Sequence, residues 1–130
     1  AGELVTEVLI APRAAHSGSR FIKYAKTAVD FALVNAAAEI TLDGNTVTAV
    51  RAAVGAIHTP PIRVTDAEQL VLGSTLDAAT LAAAAASVAK QVAPRRDARA
   101  TDDYLRHSAG VVVRRCLEGA AARARGEAHE

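Results

Sequence analysis

Between Ala32 and Leu42 the chain alternates with a period of two. Val34, Ala36, Ala38, Ile40 and Leu42 fall on one side, and Asn35, Glu39 and Thr41 on the other. That is the pattern of a strand buried on one face and wetted on the other. Asp43-Gly44-Asn45 follows, three residues that tolerate positive φ in a tight turn. Thr46 to Ile57 then returns, rich in β-branched residues, so the sequence predicts an antiparallel hairpin. Upstream, Leu4 to Ile10 alternates more loosely, with Leu4, Val8 and Ile10 opposite Glu7, and stops before Pro12. A first strand is predicted there. The loop His16-Ser17-Gly18-Ser19 leads into Arg20 to Lys26, predicted as a second strand.

Past Pro60-Pro61 the period changes. Thr65-Asp66-Ala67-Glu68 has the spacing of a capping box, in which the Thr65 hydroxyl accepts from the Glu68 N–H and the Glu68 carboxylate accepts from the Thr65 N–H. The short helix that follows is expected to end at Gly73, which suits a left-handed position. Asp77 opens a second helix with the stripe Leu81, Ala85, Val88 and Val92, stopped by Pro94. Thr101 caps a third, with Asp102 and Asp103 in the first turn, where exposed N–H groups favour negative charge. Leu105, Ala109, Val112, Cys116 and Ala120 mark its buried stripe, and Arg123 and Arg125 lie near its end. Strands first and helices afterwards is the order of an α+β domain: an antiparallel sheet of three to four strands with three helices packed on one face. Residues 1–125 are expected to form a single domain and residues 126–130 a frayed tail.

A length of 130 residues leaves room for one such domain. The formal net charge of +1 gives no field that would draw the molecule to nucleic acid or to an anionic membrane. Arg95, Arg96 and Arg99 cluster, but without interleaved aromatic residues they make a poor nucleic-acid site. The most apolar window, Ala78 to Ala89, is shorter than the roughly 20 residues needed to span a bilayer. No signal-peptide pattern opens the chain, and a cytoplasmic location is expected. The lone Cys116 fits the same compartment as a buried structural thiol. Methionine is absent, which suggests a processed start or an excised fragment. About a quarter of the residues are alanine, and the aromatics are two Phe and two Tyr. Such a core buries little area per residue, at roughly 25 cal/mol per Å² of apolar surface. An exposed docking face is expected, for a partner domain or a second copy.

Local sequence suggests no Ser-His-Asp or Cys-His set. His16, His58, His107 and His129 show no metal-ligand spacing. Gly18, Gly44, Gly55 and Gly73 are isolated and form neither GxGxxG nor a Walker A loop. Arg63 is expected to pair with Glu68 or Asp97. Asp97 and Arg99 are expected to fix the loop before the last helix, and Asp30 to hold a turn by bonding backbone N–H groups.

Four segments, in this order, carry a resemblance: Phe21-Ile22-Lys23 with Asp30-Phe31-Ala32; Asp43-Gly44-Asn45; Pro61-Ile62-Arg63 with Glu68 and Gly73; and Asp97-Ala98-Arg99-Ala100-Thr101-Asp102-Asp103-Tyr104. Together they resemble the C-terminal domain of the FAD-binding (medium) subunit of molybdenum hydroxylases, the carbon monoxide dehydrogenase and xanthine dehydrogenase flavoprotein family. The resemblance implies a parent oxidoreductase in which electrons pass from a molybdenum centre through iron–sulfur clusters to FAD. It implies as partners an N-terminal FAD-binding domain and the iron–sulfur and molybdenum subunits. FAD is then the cofactor of the parent subunit, with its phosphates held by glycine-rich loops in preceding domains. None is expected to bind this chain alone, and no turnover is expected from it. The match at Phe21-Ile22-Lys23 implies that Lys23 lies near the isoalloxazine ring, where a cation stabilises the negative charge of reduced flavin. The plain reading beside it is a solvated edge-strand lysine that discourages aggregation. A free-standing interaction module with this fold, self-associating as a homodimer, is the alternative from another class.

Overall fold

The hairpin forms the centre of the molecule. The computed structural model describes residues 2–57, 60–94 and 98–127. Its elements are β1 (Ser17–Tyr24), β2 (Val34–Asp43), β3 (Thr46–Gly55), β4 (Ile62–Arg63), α1 (Thr65–Val71), α2 (Ala78–Gln91) and α3 (Asp102–Ala124). The four strands make one antiparallel sheet in the order β1-β2-β3-β4. All three helices lie on one side of it: α3 runs across β1 and β2, α2 packs on α3, and α1 joins α2 to β3. This is the α+β arrangement that the order of strands and helices predicts.

The alternation in β2 holds along its length: Val34, Ala36, Ala38, Ile40 and Leu42 are buried under the helices. Gly44 takes φ +56° in the turn, as the hairpin requires. Between Thr41 and Leu42 the register with β3 shifts, so Leu42 pairs with Val47 and both stay buried. Helix α3 keeps its predicted stripe, with Leu105, Ala109, Val112, Cys116 and Ala120 all buried. Thr101 accepts from the Tyr104 N–H (3.3 Å), and Asp77 caps α2 by accepting from the Thr80 N–H (2.7 Å). Close approach replaces bulk in this core. A Cβ at Gly18 would run into the α3 backbone at Ala120, so β1 lies directly on that helix. A Cβ at Gly110 would lie 2.5 Å from the Ala85 carbonyl oxygen, so α2 and α3 also meet backbone to backbone. Ala84, not the expected Ala85, is the fully buried alanine of α2.

Three expectations need correction. Leu4 to Ile10 forms no strand and stays exposed. A strand needs a partner edge, and the outer edge of β1 is taken by α3: Arg123 donates to the Ser19 carbonyl (2.6 Å). The strand predicted at Arg20 to Lys26 runs instead from Ser17 to Tyr24. The capping box does not form. Val64 is the N-cap residue and no side chain caps α1. The Glu68 carboxylate turns inward, accepting from the Ala52 N–H (2.7 Å) and from the Arg63 guanidinium. A charge-assisted bond to a cation plus a buried backbone donor outcompetes a helix-end N–H that water can serve. Arg63 thus takes the first of its two expected partners. Asp97, like Arg95, Arg96, His58, His129 and residues 128–130 of the expected tail, lies outside the described residues.

Candidate functional site

The face of the sheet away from the helices carries no covering element among the described residues. Strand register sets its rows. Lys23 stands beside Asn35 and then Gly55; Phe21 beside Ala37, Ala53 and Arg63; Ser19 beside Glu39 and Arg51. The floor is low because alanines occupy its middle. Phe21, Arg51 and Arg63 rise around a shallow depression of about 560 Å³. Phe21 is 61% exposed, on the face the alternation assigns to water. The signal was readable: a phenylalanine in phase with Ser19 and Lys23 in a strand whose other side is buried.

Lys23 is exposed at one end of this face, and its ammonium donates to the Ala28 carbonyl (3.0 Å). Ala28 belongs to the loop between β1 and β2, which holds Val29 and Phe31 in solvent at 94% and 90% exposure. That loop is built. Asp30 N–H donates to Thr27 O (3.3 Å), and Leu33 N–H to Tyr24 O (2.8 Å). From 68 residues downstream Arg99 reaches Phe31 O (3.0 Å) and Ala32 O (3.3 Å). Two of the four segments that carry the resemblance, the first and the last, therefore meet at one corner. Arg99 fixes the segment before α3, as expected, by tying it to the β1–β2 loop.

Tyr24 and Tyr104 meet hydroxyl to hydroxyl on the helix side of the same corner. That bond raises the Tyr24 pKa above the ordinary tyrosine value. Sequence reasoning did not pair them, since they lie 80 positions apart and their meeting depends on how α3 crosses β1. Next to them, Tyr104, His107 and Arg115 border a smaller cavity of about 340 Å³. His107 is exposed.

Cys116 is chemically quiet. It is fully buried, its thiol donates to Ala36 O (3.3 Å), and burial pushes its pKa up to about 11. Among the described residues no group of His, Cys, Asp or Glu has the arrangement to hold a metal ion. No helix there is long and apolar enough to cross a membrane.

The geometry defines a class: a small α+β domain with one sheet face closed by helices and the other left open beside an ordered, exposed loop. Residues 20–120 match the family of the CO dehydrogenase flavoprotein C-terminal domain, and the chain belongs to that family. It is 34% identical over 113 residues to the xanthine dehydrogenase FAD-binding subunit of Escherichia coli O157:H7, covering 86% of this chain and 39% of that protein. It is 29% identical over 124 residues to the carbon monoxide dehydrogenase medium chain of Afipia carboxidovorans, covering 95% and 43%. Among solved structures, a carbon monoxide dehydrogenase from Hydrogenophaga pseudoflava superposes with a TM-score of 0.81 at 30% identity, over 85% of this chain and 39% of that one. The chain spans about two fifths of the length of these curated relatives.

Proposed function

We propose that this chain is the C-terminal domain of the FAD-binding subunit of a molybdenum-hydroxylase-type oxidoreductase. In that role it covers one side of the flavin and docks the subunit against iron–sulfur and molybdenum partners, in the cytoplasm, with no turnover of its own. The observation that carries this reading is the corner where Lys23, the Val29–Phe31 loop and Arg99 converge, all within the residues that match the family.

The corner suits the ring of FAD and not its phosphates. Lys23 has three ammonium donors, of which Ala28 takes one. The exposed Val29 and Phe31 offer apolar surface, and the Asn35 side-chain oxygen lies close against Gly55 in the same row as Lys23. Apart from Gly2 near the N-terminus, the glycines at positive φ, Gly44, Gly73 and Gly126, stand singly in turns or at helix ends, with no phosphate cradle among the described residues. FAD, when bound, supplies the electron-accepting ring. Lys23 supplies a positive charge beside it, and the loop excludes water from that side.

Two measurements test this. In the full-length subunit, Lys23→Ala is expected to lower the flavin midpoint potential, because losing a cation destabilises the negatively charged reduced form. An unchanged potential removes Lys23 from the site. Titrating the 130-residue chain with FAD is expected to show no binding by fluorescence and no rise in melting temperature. Micromolar binding would give the chain a flavin pocket of its own and refute the assignment of the phosphates to preceding domains.

The second reading, a free-standing self-associating module, draws on the exposed Phe21 and on the exposed apolar residues 4–10. Light scattering separates the two readings: a stable dimer of the isolated chain favours the module, a monomer the subunit domain.

A further inference from the structure

Beside its buried stripe, α3 carries a second one. Tyr104, His107, Ser108, Val111, Val112 and Arg115 alternate at spacings of three and one, so they line a single side of the helix over about 16 Å. Where α3 crosses β1 this side meets Tyr24, and together they border the cavity of about 340 Å³ next to the tyrosine pair. That volume falls in the range of small-molecule sites, about 300–1,000 Å³.

The polar groups around the cavity are rich in donors. The hydroxyls of Tyr24 and Tyr104 share one hydrogen between them, which leaves the pair a second hydrogen to give. The same bond holds the Tyr24 pKa up, so its hydroxyl stays neutral and repels no anion. Ser108, 7% exposed, adds another hydroxyl. Arg115 brings a planar fork of N–H donors, and His107 an imidazole N–H. No carboxylate borders the cavity among the described residues. Nearby acids in α3 are committed elsewhere: Asp103 pairs with Arg106 (3.4 Å) and Glu118 with Arg114 (3.7 Å). On its far side Arg115 shares a second depression with Glu118 and Arg20, one charge of each sign, so nothing there neutralises it. In chain order Val111 and Val112 fall between the hydroxyl end and Arg115 and supply an apolar floor. A bare phosphate would leave that floor uncovered, and a neutral ring would leave the guanidinium without an acceptor.

We propose that this cavity is a binding site for a small organic carboxylate. The fork of Arg115 takes the carboxylate, the two valines take an apolar body of about the size of a phenyl ring, and the hydroxyl end with His107 takes a second polar atom. The site lies on the helix side of the sheet, and nothing in it depends on a flavin.

The test is titration of the 130-residue chain with 4-hydroxybenzoate, followed through its backbone amide signals by NMR. Saturable shifts at Tyr24 and from Tyr104 to Arg115 are expected, with a dissociation constant below about 1 mM. 4-Hydroxybenzamide, neutral and of the same shape, is expected to bind about tenfold more weakly, and Arg115→Ala to weaken the carboxylate by about the same factor. Arg115→Lys keeps the charge without the fork and should fall between. Arg115 is exposed, so neither variant should move the urea midpoint. Arg51→Ala removes a cation from the opposite face of the sheet and should leave binding unchanged. Equal binding of acid and amide overturns the carboxylate. Equal weakening by Arg51→Ala overturns the site in favour of diffuse attraction to positive charge. Inorganic phosphate that shifts the same signals as strongly overturns the organic ligand in favour of a bare oxyanion. No saturation by about 10 mM overturns the site altogether.

Discussion

The two faces of the sheet are made by the same strands and obey different rules. On the closed face β2 presents Val34, Ala36, Ala38, Ile40 and Leu42, none more than 4% exposed, and Gly18 lets the α3 backbone lie against β1. On the open face the same strand presents Asn35, Ala37, Glu39 and Thr41, flanked by Phe21, Arg51 and Arg63. The first face carries the free energy of folding. Apart from Arg63, which holds Glu68, the second carries side chains such as Phe21 and Arg51 whose removal is expected to cost the isolated domain little. Stability and recognition are separated by the period of two in a strand.

Substitutions can break that separation. Leu117, 1% exposed in α3, should show the largest effect: Leu117→Ala is expected to cost about 2–5 kcal/mol by urea denaturation. A cost below about 1 kcal/mol would mean that the closed face is loosely packed. Next comes Glu68→Ala, which leaves the buried Ala52 N–H without its acceptor. The expected cost is about 1–3 kcal/mol, held down because the Arg63 side chain is 56% exposed and rehydrates. Glu68→Gln, which can still accept from Ala52, should lose less.

A smaller effect appears in acid. The Thr80 backbone N–H holds the Asp77 carboxyl below its ordinary value. A lowered folded-state pKa adds stability above the unfolded value of about 3.9, and that stability is lost as the pH falls through the folded value. Asp77→Asn should therefore flatten the dependence of the urea midpoint on pH between about 2 and 5. A profile identical to that of the parent chain would remove the cap from the account. Smallest of all, Phe21→Ser and Arg51→Ser on the open face should change the stability of the isolated chain by less than about 0.5 kcal/mol. A loss above 1 kcal/mol from either would show that the open face belongs to the fold after all.

Much of this was legible in the sequence, for local reasons. The hairpin, the Asp77 and Thr101 caps and the α3 stripe depend on residues within a turn or a strand of each other. What was not legible depended on a partner elsewhere. Thr65-x-x-Glu68 reads as a capping box until Ala52, 16 positions earlier, brings a buried N–H within reach of the carboxylate. Leu4 to Ile10 reads as a strand and has the composition of one, but a pattern of side chains does not say whether an edge is open to it. Lys23 and Arg99 were both singled out, yet only the fold shows that they anchor the same loop from either side. Tyr24 and Tyr104 gave no local sign of their contact.

The alanine-built core has a thermal consequence. Ala36, Ala38, Ala52, Ala84, Ala109 and Ala120 fill positions where larger residues would expose far more apolar surface on unfolding. Because the heat capacity of unfolding grows with that surface, this domain should fall below the ordinary ~12–15 cal/mol/K per residue. A small heat capacity change makes the curve of stability against temperature broad and shallow, so the strength of the fold varies little between cold and warm surroundings.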